Sequence, residues 1–249
     1  MDLGIKGRTV LVTGAAKGIG RAIATALAKE GAHVALHYQT SEEEAQETKE
    51  MIWNSGGQVT LVKGDLASLE DVQHMKDTIE SELGFVHSIV NNAGYAQYKP
   101  FFKYSPNEWR REVDVCLYGV VHLAHVFIPD MIEQKGGKLI NIIGDSARTG
   151  DRNLIISAAA RSGAVSFLKS LAQEVGRHQI QCNTVSLGLT DQGQSYEAAT
   201  LDKILKQYPL KRLGTPDDVK GAVLFLLSSL SDWITGQVLS VNGGQSMMD

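Results

Sequence analysis

The segment TGAAKGIG, residues 13–20, constrains this chain more than any other. It follows the β-rich run RTVLVTG (8–14) and leads into GIGRAIATALAKEGA, which reads as a helix ending at Gly31. A buried strand that must become a helix within a few residues needs backbone freedom, and Gly14, Gly18 and Gly20 supply it. Glycines also let a pyrophosphate approach the helix N-terminus, where backbone N–H groups are free to receive it. The segment therefore predicts a βα unit with a dinucleotide on its turn, with Lys17 and Ile19 beside the three glycines. A glycine triplet alone also fits a plain strand–helix turn; its place after the first buried strand favours the dinucleotide.

The rest of the chain repeats the alternation. HVALHY follows as a strand, and a helix opens near Thr40 and Ser41, with Glu42, Glu43 and Glu44 at its positive end. QVTLVKGD, HSIVNNAG, KLINIIG, IQCNTVS and QVLSVNGG supply further strands, with helical stretches between most of them. This order predicts an α/β fold: a doubly wound, mostly parallel sheet with helices on both faces. With 249 residues, 43% of them hydrophobic, the chain suits one domain spanning 1–249. There is no linker or repeat. The least regular region, about 186–214, has the length of a lid or binding loop.

Several functions are disfavoured. A net charge of −4 shows no basic surplus of the kind nucleic acid or an anionic membrane would require. No apolar run reads as a membrane span, and AVLFLLSSL (222–230) is short enough to be a buried helix face. The N-terminus has no secretory layout, because its apolar run leads straight into the glycine turn. Cys116 and Cys182 make neither a metal cluster nor a disulfide framework and read as buried thiols. The expectation is a cytoplasmic protein with no nucleic-acid or membrane partner.

The second strand ends in His37, Tyr38 and Gln39, with no acid to hold ribose hydroxyls. An acid there would repel a 2′-phosphate, so its absence leans modestly toward NADP(H) over NAD(H). Lys17 could add a positive contact, whereas three glutamates follow and no arginine adjoins the strand end. Asp65, in KGD, could accept from an adenine amino group or cap the next helix.

With NNAG (91–94), ITGQVLSVNGG (234–244) and PLKRLGTPDDVKGAVLFLLS, the chain resembles the short-chain dehydrogenase/reductase family over nearly its whole length. It is most similar to the 3-oxoacyl-(acyl-carrier-protein) reductase type. The resemblance implies a seven-stranded Rossmann-like sheet, a nicotinamide cofactor contacted also by Asn92, Ala93, Gly94 and Gly188, and a dimer or tetramer. It also implies a catalytic Asn, Ser, Tyr and Lys. Tyrosine gives its proton to the substrate carbonyl and serine hydrogen-bonds the same oxygen. Lysine holds the nicotinamide ribose and lowers the tyrosine pKa, and asparagine anchors a relay water.

All four positions are changed here: Cys116 for asparagine, Gly144 for serine, Ser157 for tyrosine and Arg161 for lysine. Ser146 lies two residues past Gly144. The family's VxPG has become VSLG, with Leu187 for proline, and the downstream threonine position is open, with Thr190 nearby. A serine oxygen falls roughly 4 Å short of a tyrosine oxygen and is a far weaker acid. Arg161 keeps its charge and could grip a ribose or phosphate of the cofactor, but it releases no proton at working pH. Substitute acids are Tyr95 and Tyr98 after NNAG, Tyr196 in the lid, and Asp145; His122 and His125 read as core or interface residues.

Three readings follow. The chain is a divergent oxidoreductase of a small-molecule or acyl substrate, a cofactor-binding pseudoenzyme, or a redox-neutral enzyme on the same fold. The resemblance implies that the helices 109–127 and 157–175 pack against a symmetry mate, and their apolar stripes suit the homo-tetramer it leads one to expect.

Overall fold

The computed structural model describes residues 2–248. Seven strands, β1 (Thr9–Val12), β2 (His33–Tyr38), β3 (Gln58–Lys63), β4 (Val86–Asn91), β5 (Gly137–Gly144), β6 (Ile180–Leu187) and β7 (Val238–Val241), form one sheet in the order β3-β2-β1-β4-β5-β6-β7. Every neighbouring pair is parallel. Strands such as TVLV in β1 are buried throughout, because helices cover both faces of the sheet. The doubly wound α/β expectation holds, and each predicted strand segment carries its strand.

On one face α1 (Gly18–Lys29), α2 (Glu42–Asn54) and α9 (Pro216–Leu227) pack through Ile23, Leu27, Ile52, Val219 and Val223. On the other, α3 (Leu69–Leu83), α5 (Gly119–Glu133) and α7 (Ile155–Val175) pack through Met75, Ile79, Leu123, Phe127 and Leu168. Sharp helix starts come from local chemistry. Ser68 caps α3 by accepting from the Asp71 N–H, while Ser105–Glu108 and Thr215–Asp218 form capping boxes.

α4 (Pro106–Val113) passes into α5 through one π-helical turn, Asp114–Tyr118, giving a continuous helix of 28 residues from Pro106 to Glu133. This corrects the expectation that nothing approaches a membrane span, since the helix is long and apolar enough by length and composition. Scattered polar residues conceal its length in the sequence. In the fold, 56% of its most apolar window is buried, chiefly against the sheet, α3 and α7.

The region 186–214 is less irregular than its sequence suggests. It carries α8 (Ala198–Lys206), and Thr190 forms a parallel bridge to Gly214 that ties the two ends of the excursion together. Fully buried Tyr208 anchors it further, accepting from the Leu189 N–H at 2.7 Å and donating to Gln245 at 2.7 Å.

Candidate functional site

The chain order reverses between β1 and β4, so the crossovers from these neighbouring strands leave toward opposite faces. A cleft of about 700 Å³ opens at their C-terminal ends. Gly14 (φ 60°) and Gly18 (φ 57°) give the TGAAKGIG turn its left-handed bends. At Gly20 a Cβ would collide with the Gly14 carbonyl and lie 2.7 Å from Asn92 Nδ2. No side chain caps α1, so its first N–H groups remain for a ligand. This backbone cradle fits a dinucleotide pyrophosphate. Gln192 lays its amide against Gly18, a flexible end that can withdraw.

Hydrogen bonds hold the cradle from behind. Thr13 Oγ1 donates to Asn91 Oδ1 (2.8 Å) and accepts from the N–H groups of Asn92 (3.0 Å) and Ala93 (2.9 Å). Asn92 Nδ2 donates to the carbonyls of Thr13 and Gly14, and Asn91 Nδ2 to Asn141 on β5. His37, 2% exposed, joins the turn to β3: its Nδ1 lies 3.1 Å from the Gly14 N–H and its Nε2 3.1 Å from the Gly64 carbonyl. Only a neutral ring protonated at Nε2 satisfies both contacts. Burial pushes its pKa down to about 4, against smaller upward pulls from Gly64 and Asp65.

At the outer end, Tyr38, Gln39, Thr40 and Ser41 line the cleft with Asp65 and Arg111. Arg111 arrives from α4 and grips Asp65 with both terminal nitrogens, at 2.8 and 3.2 Å, while Nη2 lies 3.3 Å from Gln39 Oε1. Partial burial works to raise the Asp65 pKa; the Arg111 and Ala67 hydrogen bonds outweigh it and hold the carboxyl below its usual value. Asp65 is not the α3 cap, because Ser68 occupies that position. Nor is the strand end without an arginine, since folding brings one from far along the chain. Lys17 pairs with Glu44 at 2.9 Å on the surface.

The inner end is formed by β5, β6 and α7. Ser157 is buried and accepts from Arg161 Nε at 3.2 Å. Arg161 Nη1 lies 3.5 Å from the Ile142 carbonyl, and Nη2 packs directly on Gly94. Gly144 leaves an open place, and Ser146, at the start of α6 (Ser146–Thr149), puts its Oγ 3.5 Å from where a Cβ on Gly144 would stand. Ile19, Leu187, Gly188 and Thr190 also line the cleft. Cys116, in the π turn, is buried beside it and donates to the Tyr95 carbonyl at 3.1 Å.

The substitute acids separate. Tyr95 lines the cleft, whereas Tyr98 and Tyr196 are not among its lining residues. Asp145 turns away from the cleft and is buried, accepting from Ser186, Asn242 and Ser246. His122 binds the Leu66 carbonyl and His125 is exposed on α5. Among the described residues no group of His, Cys, Asp and Glu could hold a metal.

A family model described as enoyl-(acyl carrier protein) reductase matches residues 14–246. A 3-oxoacyl-(acyl-carrier-protein) reductase of Staphylococcus epidermidis is 34% identical, covering 96% of this chain and 99% of its own. The chain belongs to the short-chain dehydrogenase/reductase family. Another such reductase in the family, from Vibrio cholerae, is 33% identical over 99% of this chain and 100% of its own. A putative gluconate dehydrogenase of Agrobacterium tumefaciens superposes with a TM-score of 0.93 at 26% identity, covering 98% of each chain.

Sequence reasoning passed over two residues of this short-chain dehydrogenase/reductase. The His37 clamp had a cue: an ionisable side chain in a strand buried on both faces must be neutral and paired. Glu112 had none. It is fully buried on α4, accepts from the Gln97 N–H (2.7 Å) and lies 3.0 Å from the Tyr104 hydroxyl, while its Oε2 has no partner among the described residues. Burial and this carboxylate together push the Tyr104 pKa up to about 12.

Proposed function

We propose that the cleft binds a nicotinamide nucleotide, with NADP(H) modestly preferred over NAD(H), and that the chain is a divergent oxidoreductase lacking its family's usual proton donor. The observation carrying the first part is the glycine cradle with its uncapped helix N-terminus. The NADP(H) preference draws on the absence of an acid from Tyr38 to Ser41 and on Arg111 beside Gln39. Asn92, Ala93, Gly94, Gly188 and Ile19 would line the bound nucleotide, and Asp65 would face the adenine.

The bound nicotinamide would supply or accept hydride. The chain's own residues at the inner end would bind and orient the substrate. Ser157 is too short and too weakly acidic to replace tyrosine, and Arg161 holds its protons. Ser146 is the best-placed substitute for the missing serine, because its hydroxyl stands beside Gly144. Losing a general acid costs about 10²–10⁴ in rate, so reduction of a 3-oxoacyl thioester should be very slow. Calorimetric titration with NADPH and NADH, followed by NADPH oxidation with acetoacetyl-coenzyme A, tests this reading. NADH binding as tight as NADPH binding would end the preference. Wild-type turnover above about 1 per second would end the deficiency and point to Tyr95, the one of the proposed substitute tyrosines that lines the cleft.

The region 186–214 would serve as the substrate lid, since Leu189, Thr190, Gln192 and Gln194 line the cleft from it. A homo-tetramer is the proposed assembly, supported by exposed Tyr118 at the end of the π turn before α5 and by exposed Phe225, Trp233 and Leu239. Light scattering should give about four chain masses; a single chain mass would exclude it.

A further inference from the structure

We propose that the inner end of the cleft is an anion site, built on Arg161, that selects a carboxylate-bearing substrate. This rests on the reading of the cleft as the nucleotide and substrate site. Basic residues lining the cleft are Lys17, Arg111 and Arg161. The first is paired with Glu44 and the second with Asp65. Arg161 has no carboxylate partner among the described residues, and its terminal nitrogens reach only the Ile142 carbonyl at 3.5 Å. A half-buried guanidinium with donors to spare and no counter-charge favours an anion in front of it.

The neighbouring hydroxyls support the same ligand. Ser157 accepts from Arg161 Nε, and its own proton finds no acceptor among the described residues. Ser146 Oγ makes no side-chain hydrogen bond among them and lines the same cleft. Both can therefore donate. Asp145, the nearest carboxylate in sequence, is occupied by Ser186, Asn242 and Ser246 and does not face the cleft. The result is a fixed positive charge with two hydroxyl donors and no base. Such a set recognises a carboxylate and discriminates against the uncharged amide of the same shape, which leaves the guanidinium without a counter-charge.

The probes are butanoate and butanamide, titrated at constant ionic strength into the full-length chain with and without saturating NADPH. Butanoate should bind about tenfold or more tightly than butanamide. Arg161→Gln should remove that difference, and Arg161→Lys should restore part of it. Ser146→Ala should weaken butanoate several-fold and leave butanamide unchanged. Thermal melts establish that each variant is folded. Should Arg161→Gln fail to fold, the wild-type comparison and Ser146→Ala decide the matter. Equal affinity for the two probes, or a preference that survives Arg161→Gln, overturns the proposal. Failure of NADPH to bind overturns the nucleotide reading instead, and the nucleotide-free titration still decides the anion site.

Discussion

The two ends of the cleft rest on different kinds of interaction. At the nucleotide end, positive φ at Gly14 and Gly18, close approach at Gly20 and the bonds of Thr13, Asn92 and His37 fix the shape of the main chain. At the inner end the main chain has the same sheet behind it, yet Cys116, Gly144, Ser157 and Arg161 stand where the family's four side chains are expected. Geometry held by many mutually dependent contacts resists change, because each replacement disturbs several partners. A catalytic side chain projecting into open space has few such ties. On the proposed reading, a frame that binds a nucleotide persists after the proton chemistry beside it has altered.

The largest test converts the inner end back. Cys116→Asn, Gly144→Ser, Ser157→Tyr and Arg161→Lys together should raise turnover of acetoacetyl-coenzyme A by about 10²–10⁴. Ser157→Tyr alone should recover little, because the tyrosine lacks its partners. A large gain from the single variant would show that less had changed than the contrast implies. The matching test at the proposed nucleotide end is Gly20→Ala, whose methyl meets the backbone of Gly14 and Ala15 as well as the bonded Asn92 amide. It should weaken NADPH binding by more than about 10²-fold, as read by calorimetry; a change of only a few-fold would break the comparison.

His37 supplies a test by pH. Its folded pKa of about 4 lies below the ordinary 6.5, so the unfolded chain takes up the proton first as pH falls. Its contribution is complete above about 6.5 and is lost on acidification toward 4, a total of roughly 3 kcal/mol. Urea unfolding across that window should show the loss in the wild type and a flatter profile in His37→Gln. Equal slopes would remove the clamp. The smallest effect concerns Arg111→Met, which should lower the NADP(H)-to-NAD(H) affinity ratio by about threefold, measured by competitive titration. An unchanged ratio would assign the preference to the strand end alone.

Much of the frame was legible because it depends on local pattern. Seven apolar runs separated by helical periods give a parallel sheet, and three glycines after the first run locate its switch point. The site was legible where position alone decides, as with Ser157 and Arg161 one helical turn apart. It was hidden where folding joins distant segments. Arg111 lies 46 residues from Asp65, and nothing near either one announces the pair. Asp145 sits beside Gly144 in sequence, yet bonds to Asn242 and Ser246 turn it away from the cleft. Ser146 looked two residues out of place, and the one-turn helix at Ser146–Thr149 brings its hydroxyl back toward Gly144.

The π turn at Asp114–Tyr118 has a consequence for how the chain tolerates change. It holds one residue more than an α-helical turn. Deleting that residue would let the helix run on regularly, but would rotate everything before it by about 100°. Arg111, carried on the rotated α4, would swing off Asp65. Length is therefore policed here even where identity is not: Cys116 can stand inside the turn without disturbing the phase of the helix on either side. Single substitutions can rewrite that position, but a one-residue deletion in the helix would unfasten the outer end of the cleft from a distance.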